Sequence, residues 1–470
     1  MPIFGKAGFL HRLRRRPSES VKSHGLSAAR LLALIYLAIC LPTIVFLVLF
    51  RQPLGNPDEL SHVWRAYQIS KGVLLTEEAL PGMYPKGMVE ERWGTLNSGV
   101  HRRRFESLKT ALPVFEAYDW SGKESLKRFN SSVYFPAAFI PQSVGLTISR
   151  GLGLNLVGSL QVASALNAIV CLLIIAWAIY LADKGRYLVA LVGALPMTLH
   201  QMASASPDGL LIAASLLMFS LTTRSIARST VSLPVLLGLA GLGAVTAATK
   251  LPYLMVGLAA MIALWRTDRD ARRRTLLYAL GCIVMVGVPL LWTKLSNAGV
   301  VKYSMVIDTD PGDQLAFLLA NPLQIPGIAF STLSVLWHHY LLQMIGVLGW
   351  MDAPLPRAAY VVLGAGLIAT FALEGFQVQP FLRWLFLAGS ALACALIFLS
   401  LYMIWTPLGS PGPILGVQGR YFLPILPFLL FLVPASKFLS TDKVKLSIFA
   451  ACGVVGGIAT VTTMIGRYYG

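Results

Sequence analysis

Eleven apolar runs constrain this chain more than any motif in it. The first covers residues 31–50, and the others lie roughly at 157–182, 187–203, 209–223, 233–249, 252–265, 275–294, 358–374, 381–405, 418–435 and 446–466. A helix needs about 20 mainly apolar residues to cross hydrocarbon, where its backbone must satisfy its own hydrogen bonds. Several runs are shorter than that. Taken together they predict an all-α polytopic membrane protein with about 11 (10–13) transmembrane helices. Composition agrees: 56% of the 470 residues are hydrophobic and only 13% are charged, which excludes an ordinary soluble enzyme.

The placement of charge sets the expected orientation. Lys6, Arg12, Arg14, Arg15, Arg16, Lys22 and Arg30 precede the first run against one acid, Glu19, so it reads as an uncleaved anchor with its N-terminus in the cytoplasm. If the runs alternate from there, the basic loops 183–186, 224–232, 266–274 and 436–445 all fall inside, as the positive-inside rule requires. The chain then divides into a basic tail (1–30), a first transmembrane helix (31–50) and an outer region with juxtamembrane helices (51–156). A central bundle (157–294), a second outer segment (295–357) and C-terminal transmembrane helices (358–470) follow. Within the second outer segment, residues 325–349 are expected to form a re-entrant or interfacial helix. Tyr134–Ser149, interrupted by Pro136 and Pro141, is expected to be juxtamembrane. The five cysteines all lie in apolar stretches without metal-ligand spacing, and are expected to be packing residues.

The most informative polar stretch is Asn56-Pro57-Asp58-Glu59 with Ser61, His62, Trp64, Arg65 and Tyr67, six residues beyond the first run. Asn56 suits a helix cap, Pro57 its first turn, and Glu59 the returning acid of a capping box. At helical spacing Asp58, His62 and Arg65 share a face. The outer region around this stretch holds Trp64, Trp93, Trp120, Tyr67, Tyr84 and Tyr118, expected to lie on the membrane surface. Its run Arg102-Arg103-Arg104 is expected to be solvated or to touch phospholipid.

The same alternation gathers more polar residues at the outer ends of the spans. They are Ser204-Ala205-Ser206-Pro207-Asp208, Lys250-Leu251-Pro252-Tyr253, Trp350-Met351-Asp352 and Gln418-Gly419-Arg420-Tyr421. Ionisable groups at the edge of hydrocarbon are costly and commonly line a polar cavity. Each has a plainer reading. Asp208 suits a helix start, Lys250 can snorkel, Arg420 can anchor at the interface, and Asp308, Asp310 and Asp313 form a turn because they lack the offsets of a calcium loop. No Walker A, GxSxG, HExxH or dinucleotide fingerprint is present. An outer-face enzyme without such a motif would draw its activated substrate from the membrane.

These pieces, from residue 56 to 424 and including Tyr134-Phe135-Pro136, Leu195-Pro196-Met197 and Gly349-Trp350-Met351-Asp352, together resemble domain-of-unknown-function family 2142 of bacterial membrane proteins, within the GT-C glycosyltransferase superfamily. The resemblance implies a GT-C-like bundle with a large, partly helical first periplasmic loop, in the bacterial inner membrane. It implies an inverting transfer of sugar from a polyprenyl-phosphate donor to a glycan or lipid-linked acceptor on the periplasmic face. Asp58 would be the general base, with Glu59 as helper or alternate. Lys250, Arg420 and Arg65 would hold the donor phosphate, and His62, Asp208, Trp350, Asp352 and Tyr421 would contact sugar or acceptor. No metal, cofactor or nucleic acid is implied. A flippase or exporter of a lipid-linked saccharide is the competing reading, and an assembly subunit a third.

Overall fold

The computed structural model describes residues 19–76, 86–96, 106–296, 310–435 and 441–470, with side chains from residue 28 onward. Asp308, Tyr84, Lys437, the Arg102–Arg104 run and the tail before Glu19 lie outside the described residues. The fold is helical apart from two small antiparallel sheets, which the apolar pattern did not predict. β1 (Lys86–Glu90) pairs with β2 (Glu124–Arg128), Lys86 opposite Arg128, and β3 (Val347–Leu348) pairs with β4 (Ala353–Pro354).

Seven described helices are long and apolar enough to cross a membrane: residues 28–50 of α1 (Glu19–Phe50), α5 (Leu156–Leu181), α8 (Asp208–Arg228), α11 (Ala271–Leu295), α14 (Arg357–Glu374), α15 (Pro380–Trp405) and α16 (Asp442–Tyr468). α12 (Pro311–Ala320) and the helix beginning at Pro322, which includes α13 (Ile325–Gly346), form a pair bent by 91°, with the geometry of a broken span or a re-entrant loop. α9 (Leu233–Thr249) and α10 (Leu254–Thr267) are shorter apolar helices. α1 packs on α5 and α16, α5 on α8, α9 on α11, and α10 on α15.

Two apolar runs are not single helices. Residues 187–203 break into α6 (Arg186–Gly193) and α7 (Pro196–Met202), because Pro196 cannot donate the bond that would continue α6. Residues 418–435 form 3-10 turns at Gly419–Phe422 and Leu426–Leu432, since Pro424, Pro427 and Pro434 recur too often for an α-helix. Both segments are largely buried, and surrounding protein makes such irregular backbone tolerable at membrane depth. Phe219, Phe386 and Phe428 enclose Phe431, whose ring stacks 3.8 Å from that of Phe386. All five cysteines are free.

The polar region after α1 folds around α2 (Glu59–Ser70), the β1–β2 sheet, α3 (Leu108–Glu116) and α4 (Ile140–Gly151). Its aromatic residues make a core of their own and do not line a surface: Trp93 is fully buried and lies 4.1 Å from Trp120, which stacks on Tyr67. Buried Glu90 accepts from the backbone of Trp93 and Ser121, joining the sheet to the next loop. Asp310 caps α12 through Gly312 and Asp313, so that acidic pair is a turn.

Candidate functional site

Between α1 and α2 the chain turns back through Leu54 (φ 58°) and Asp58 (φ 64°), both left-handed without being glycine. Asp tolerates that region because its short polar side chain bonds locally, and such residues cluster where structure serves function. The twist takes Asp58 out of the helical register. Its carbonyl accepts from Ser61 Oγ and from His62 N, while its carboxylate points away from the helix. Oδ2 lies 3.3 Å from Arg420 Nη2, with one third of the side chain exposed.

Glu59 has a different environment. It is fully buried and takes a two-point ion pair from Arg51 at 2.6 and 2.7 Å. The same carboxylate accepts from the backbone N–H of Asn56 and of Ala205. The bond to Asn56 is the returning half of a capping box, but Asn56 itself sends its amide to the His200 carbonyl and caps nothing. Four donors converge on the Glu59 carboxylate, which thereby clamps the end of α1, the turn before α2 and the loop before Asp208 together.

Arg420 comes from the 3-10 turn, and Gly419 puts it there. A Cβ at Gly419 would stand 2.1 Å from the Tyr340 carbonyl of α13, while Gly419 N donates to Gln343. From this position the guanidinium meets Asp58 at 3.3 Å, Asp208 at 3.3 Å and Gln201 at 3.5 Å. Asp208 opens α8, held close to α7 because a Cβ at Gly209 would collide with the Met202 backbone. Its other oxygen takes Lys250 Nζ at 2.5 Å. Lys250 ends α9 and sits 4.5 Å from the centre of the Tyr421 ring, and the Arg420 guanidinium lies 5.4 Å from the same ring. The Tyr421 carbonyl is held by Tyr253 Oη.

The result is a chain of alternating charge, Asp58, Arg420, Asp208, Lys250, drawn from four separate parts of the sequence. Two acids and two bases cancel in sum, and only the Asp58 end is substantially open to solvent. Among the described residues no three His, Cys, Asp or Glu side chains are grouped to hold a metal ion. The two aspartates converge instead on a guanidinium.

Of the other predicted residues, His62 lies close enough to feel all four charges of this chain, whereas Arg65, Trp350 and Asp352 bond elsewhere. Arg65 is fully buried and donates to the carbonyls of Tyr134 (2.8 and 3.0 Å) and Leu74 and to the Gln68 amide, so its fork is committed to holding the outer region. Helical spacing placed it with Asp58, but the left-handed Asp58 lies outside that phase. His62 is buried between Tyr134 and Phe139, at 6.0 Å from each ring. Burial pushes its pKa down to about 4 against the opposing pull of Asp58 and Asp208, helped by Lys250 and Arg420, so it is neutral at ordinary pH. Trp350 Nε1 donates to the Leu54 carbonyl and braces the turn that carries Asp58. Asp352 receives Arg467 at 2.7 and 2.9 Å and holds the β3–β4 turn to α16.

Several residues that build the site gave little sequence signal. Asn167 of α5 donates to the Met202 and Ser204 carbonyls, and Gln142 of α4 to the Ser206 carbonyl, which together pin the loop before Asp208. An isolated amide inside an apolar run was the available clue. Arg51 and Gln201 were not distinguishable from interfacial polar residues. Arg420 also lines a small cavity with Pro57, His200, Gln201, Gln343 and Gln418. A cavity of about 930 Å³ lies elsewhere, between the end of α1, α3 and the start of α5, with Arg51 in its wall.

In comparisons with known proteins, the family model described as predicted membrane protein (DUF2142) matches residues 41–429. No curated protein and no solved structure matches.

Proposed function

The chain belongs to the DUF2142 family of predicted membrane proteins, and from that premise we propose that it is a glycosyltransferase of the GT-C kind, moving a sugar from a polyprenyl-phosphate donor to a cell-surface or lipid-linked acceptor. The observation that carries the proposal is a half-open carboxylate, Asp58, held in a left-handed turn against a cation that also serves a second acid. In this reading about eleven crossings place that chain of charges on the periplasmic side of the inner membrane. The first outer region forms its roof.

The chemistry follows from the charges. Asp58 accepts the proton of the acceptor hydroxyl while that oxygen bonds to the anomeric carbon. The bond from that carbon to the phosphate oxygen breaks on the opposite face, and the electron pair leaves with the polyprenyl phosphate. A single displacement of this kind inverts configuration. Lys250 and Arg420 stabilise the departing phosphate, as cations aimed at developing charge do. Both are paired in the resting protein. An incoming phosphate competes with the carboxylates for Arg420, and as Arg420 turns to it, Asp58 is released to act as base. Asp208 becomes the residue that positions both cations. Tyr421, whose ring adjoins both cations, is the remaining side chain placed to contact the sugar.

The test compares envelope glycans by mass spectrometry in a deletion strain restored with wild type, Asp58→Asn or nothing. A sugar-sized mass that disappears on deletion and returns only with wild type supports transfer. Full restoration by Asp58→Asn overturns it and leaves the carrier reading in its place.

A further inference from the structure

At the other end of α10 from Lys250, the turn between α10 and α11 gathers five arginines within nine residues, 266–274. Two acids, Asp268 and Asp270, lie among them, and both draw on one cation, Arg274. Asp268 is buried, accepts the Tyr278 hydroxyl at 2.9 Å and has Arg274 at 3.9 Å, while Asp270 has Arg274 at 3.9 Å. Arg274 is further committed to the Val231 carbonyl. The other four, Arg266, Arg269, Arg272 and Arg273, are exposed, with no ion pair among the described residues, and line a pocket of about 570 Å³ with Trp265.

What lies beyond them along α11 gives the ligand its chemistry. Arg272, Leu276, Leu280 and Ile283 recur at helical spacing, so a cation opens a stripe whose next members are exposed aliphatic side chains, Leu276 at 71% and Ile283 at 62%. Arg273 and Trp265 line the same pocket as Arg272, at the start of that stripe. A ligand that satisfies both halves has a phosphate at one end and a long hydrocarbon chain at the other. Unneutralised arginines beside the polar face of a span attract such a headgroup by about 1 kcal/mol each.

We infer that the α10–α11 turn is a binding site for an anionic phospholipid, its phosphate held by Arg266, Arg269, Arg272 and Arg273 and its acyl chain lying along Leu276, Leu280 and Ile283. The site is separate from the Asp58 cluster and does not depend on the transferase reading. A stripe of cations on the surface of a membrane protein ordinarily faces solvent or any headgroup. Here five arginines face two acids, one of them buried, so the patch keeps a net positive charge, and a continuous apolar track leads away from it.

The experiment uses the full chain in nanodiscs of phosphatidylcholine with phosphatidylglycerol, and counts by native mass spectrometry the lipids retained on release. Arg269→Gln/Arg272→Gln is compared with Lys184→Gln/Lys443→Gln, which removes the same charge from exposed lysines elsewhere, and with Arg269→Lys/Arg272→Lys, which keeps the charge in place. The expected result is a loss of retained phosphatidylglycerol of roughly 30-fold in the first variant, with the lysine-to-glutamine control unchanged and the arginine-to-lysine variant near wild type. Inorganic phosphate at matched concentration is expected not to displace the lipid, because it lacks the chain. Equal loss in both glutamine variants, or retention of phosphatidylcholine as readily as phosphatidylglycerol, would overturn the proposal, as would displacement by inorganic phosphate.

Discussion

Replacing Glu59 by Gln and, separately, Asp58 by Asn separates structure from chemistry at two adjacent residues. Glu59→Gln leaves the Arg51 guanidinium buried against a neutral amide and turns one acceptor oxygen into a donor facing N–H groups. Removing one partner of a buried ion pair costs about 3–5 kcal/mol, because the other charge is left uncompensated. Asp58→Asn removes a contact that is one third exposed. Arg420 keeps Asp208 and Gln201, and Asn accepts a positive φ as readily as Asp, so the loss is about 1 kcal/mol. The activities diverge the other way: loss of a general base costs roughly 10²–10⁴-fold in transfer. The assay is thermal unfolding of each purified variant in detergent beside glycan mass spectrometry of the strain that carries it. Asp58→Asn is expected to stay folded and inactive, Glu59→Gln to unfold early. A Glu59→Gln protein of wild-type stability that has lost transfer, beside an active Asp58→Asn, would refute the assignment of clamp and base.

Other expectations follow from the same geometry. Gly419→Ala drives a methyl to 2.1 Å from the Tyr340 carbonyl and pushes Arg420 off its aspartates, with a loss of about 1–3 kcal/mol and of transfer, both measurable as above. Asp208→Asn and Lys250→Gln are expected to be non-additive in thermal unfolding, with a coupling of about 0.5–3 kcal/mol, since each removes the other's partner at 2.5 Å. His62 has a folded pKa of about 4, below that of the unfolded chain, so the unfolded form binds more protons between the two. Its contribution is present above pH about 6.5 and lost as pH falls toward 4, an effect of up to about 3 kcal/mol. His62→Phe flattens that part of the acid unfolding curve if His62 causes it.

Much of this molecule is legible in its residues. Apolar length and the basic loops state that it is a polytopic membrane protein, and the Asn56–Glu59 pattern marks a helix start whose acid returns to the backbone, as Glu59 does. Asp208, Lys250, Arg420 and Tyr421 were recognisable as ionisable or aromatic groups at the edges of apolar runs. Periodicity carries that information because burial and helical spacing are local properties of a chain.

Only the tertiary structure decided which of these residues meet. Spacing placed Arg65 beside Asp58, but one left-handed φ rotates Asp58 out of helical phase and Arg65 turns to the Tyr134 carbonyl. Spacing gave no sign that Asp352 pairs with Arg467, 115 residues along the chain, or that Trp350 donates to the Leu54 carbonyl. Nothing local distinguishes Asp58 from Glu59 either, because the difference is Arg51 and the Ala205 N–H on one side and Arg420 on the other. A carboxylate's role depends on the donors within about 3 Å of it, and here those donors come from helices and turns that a sequence places in order but not in space.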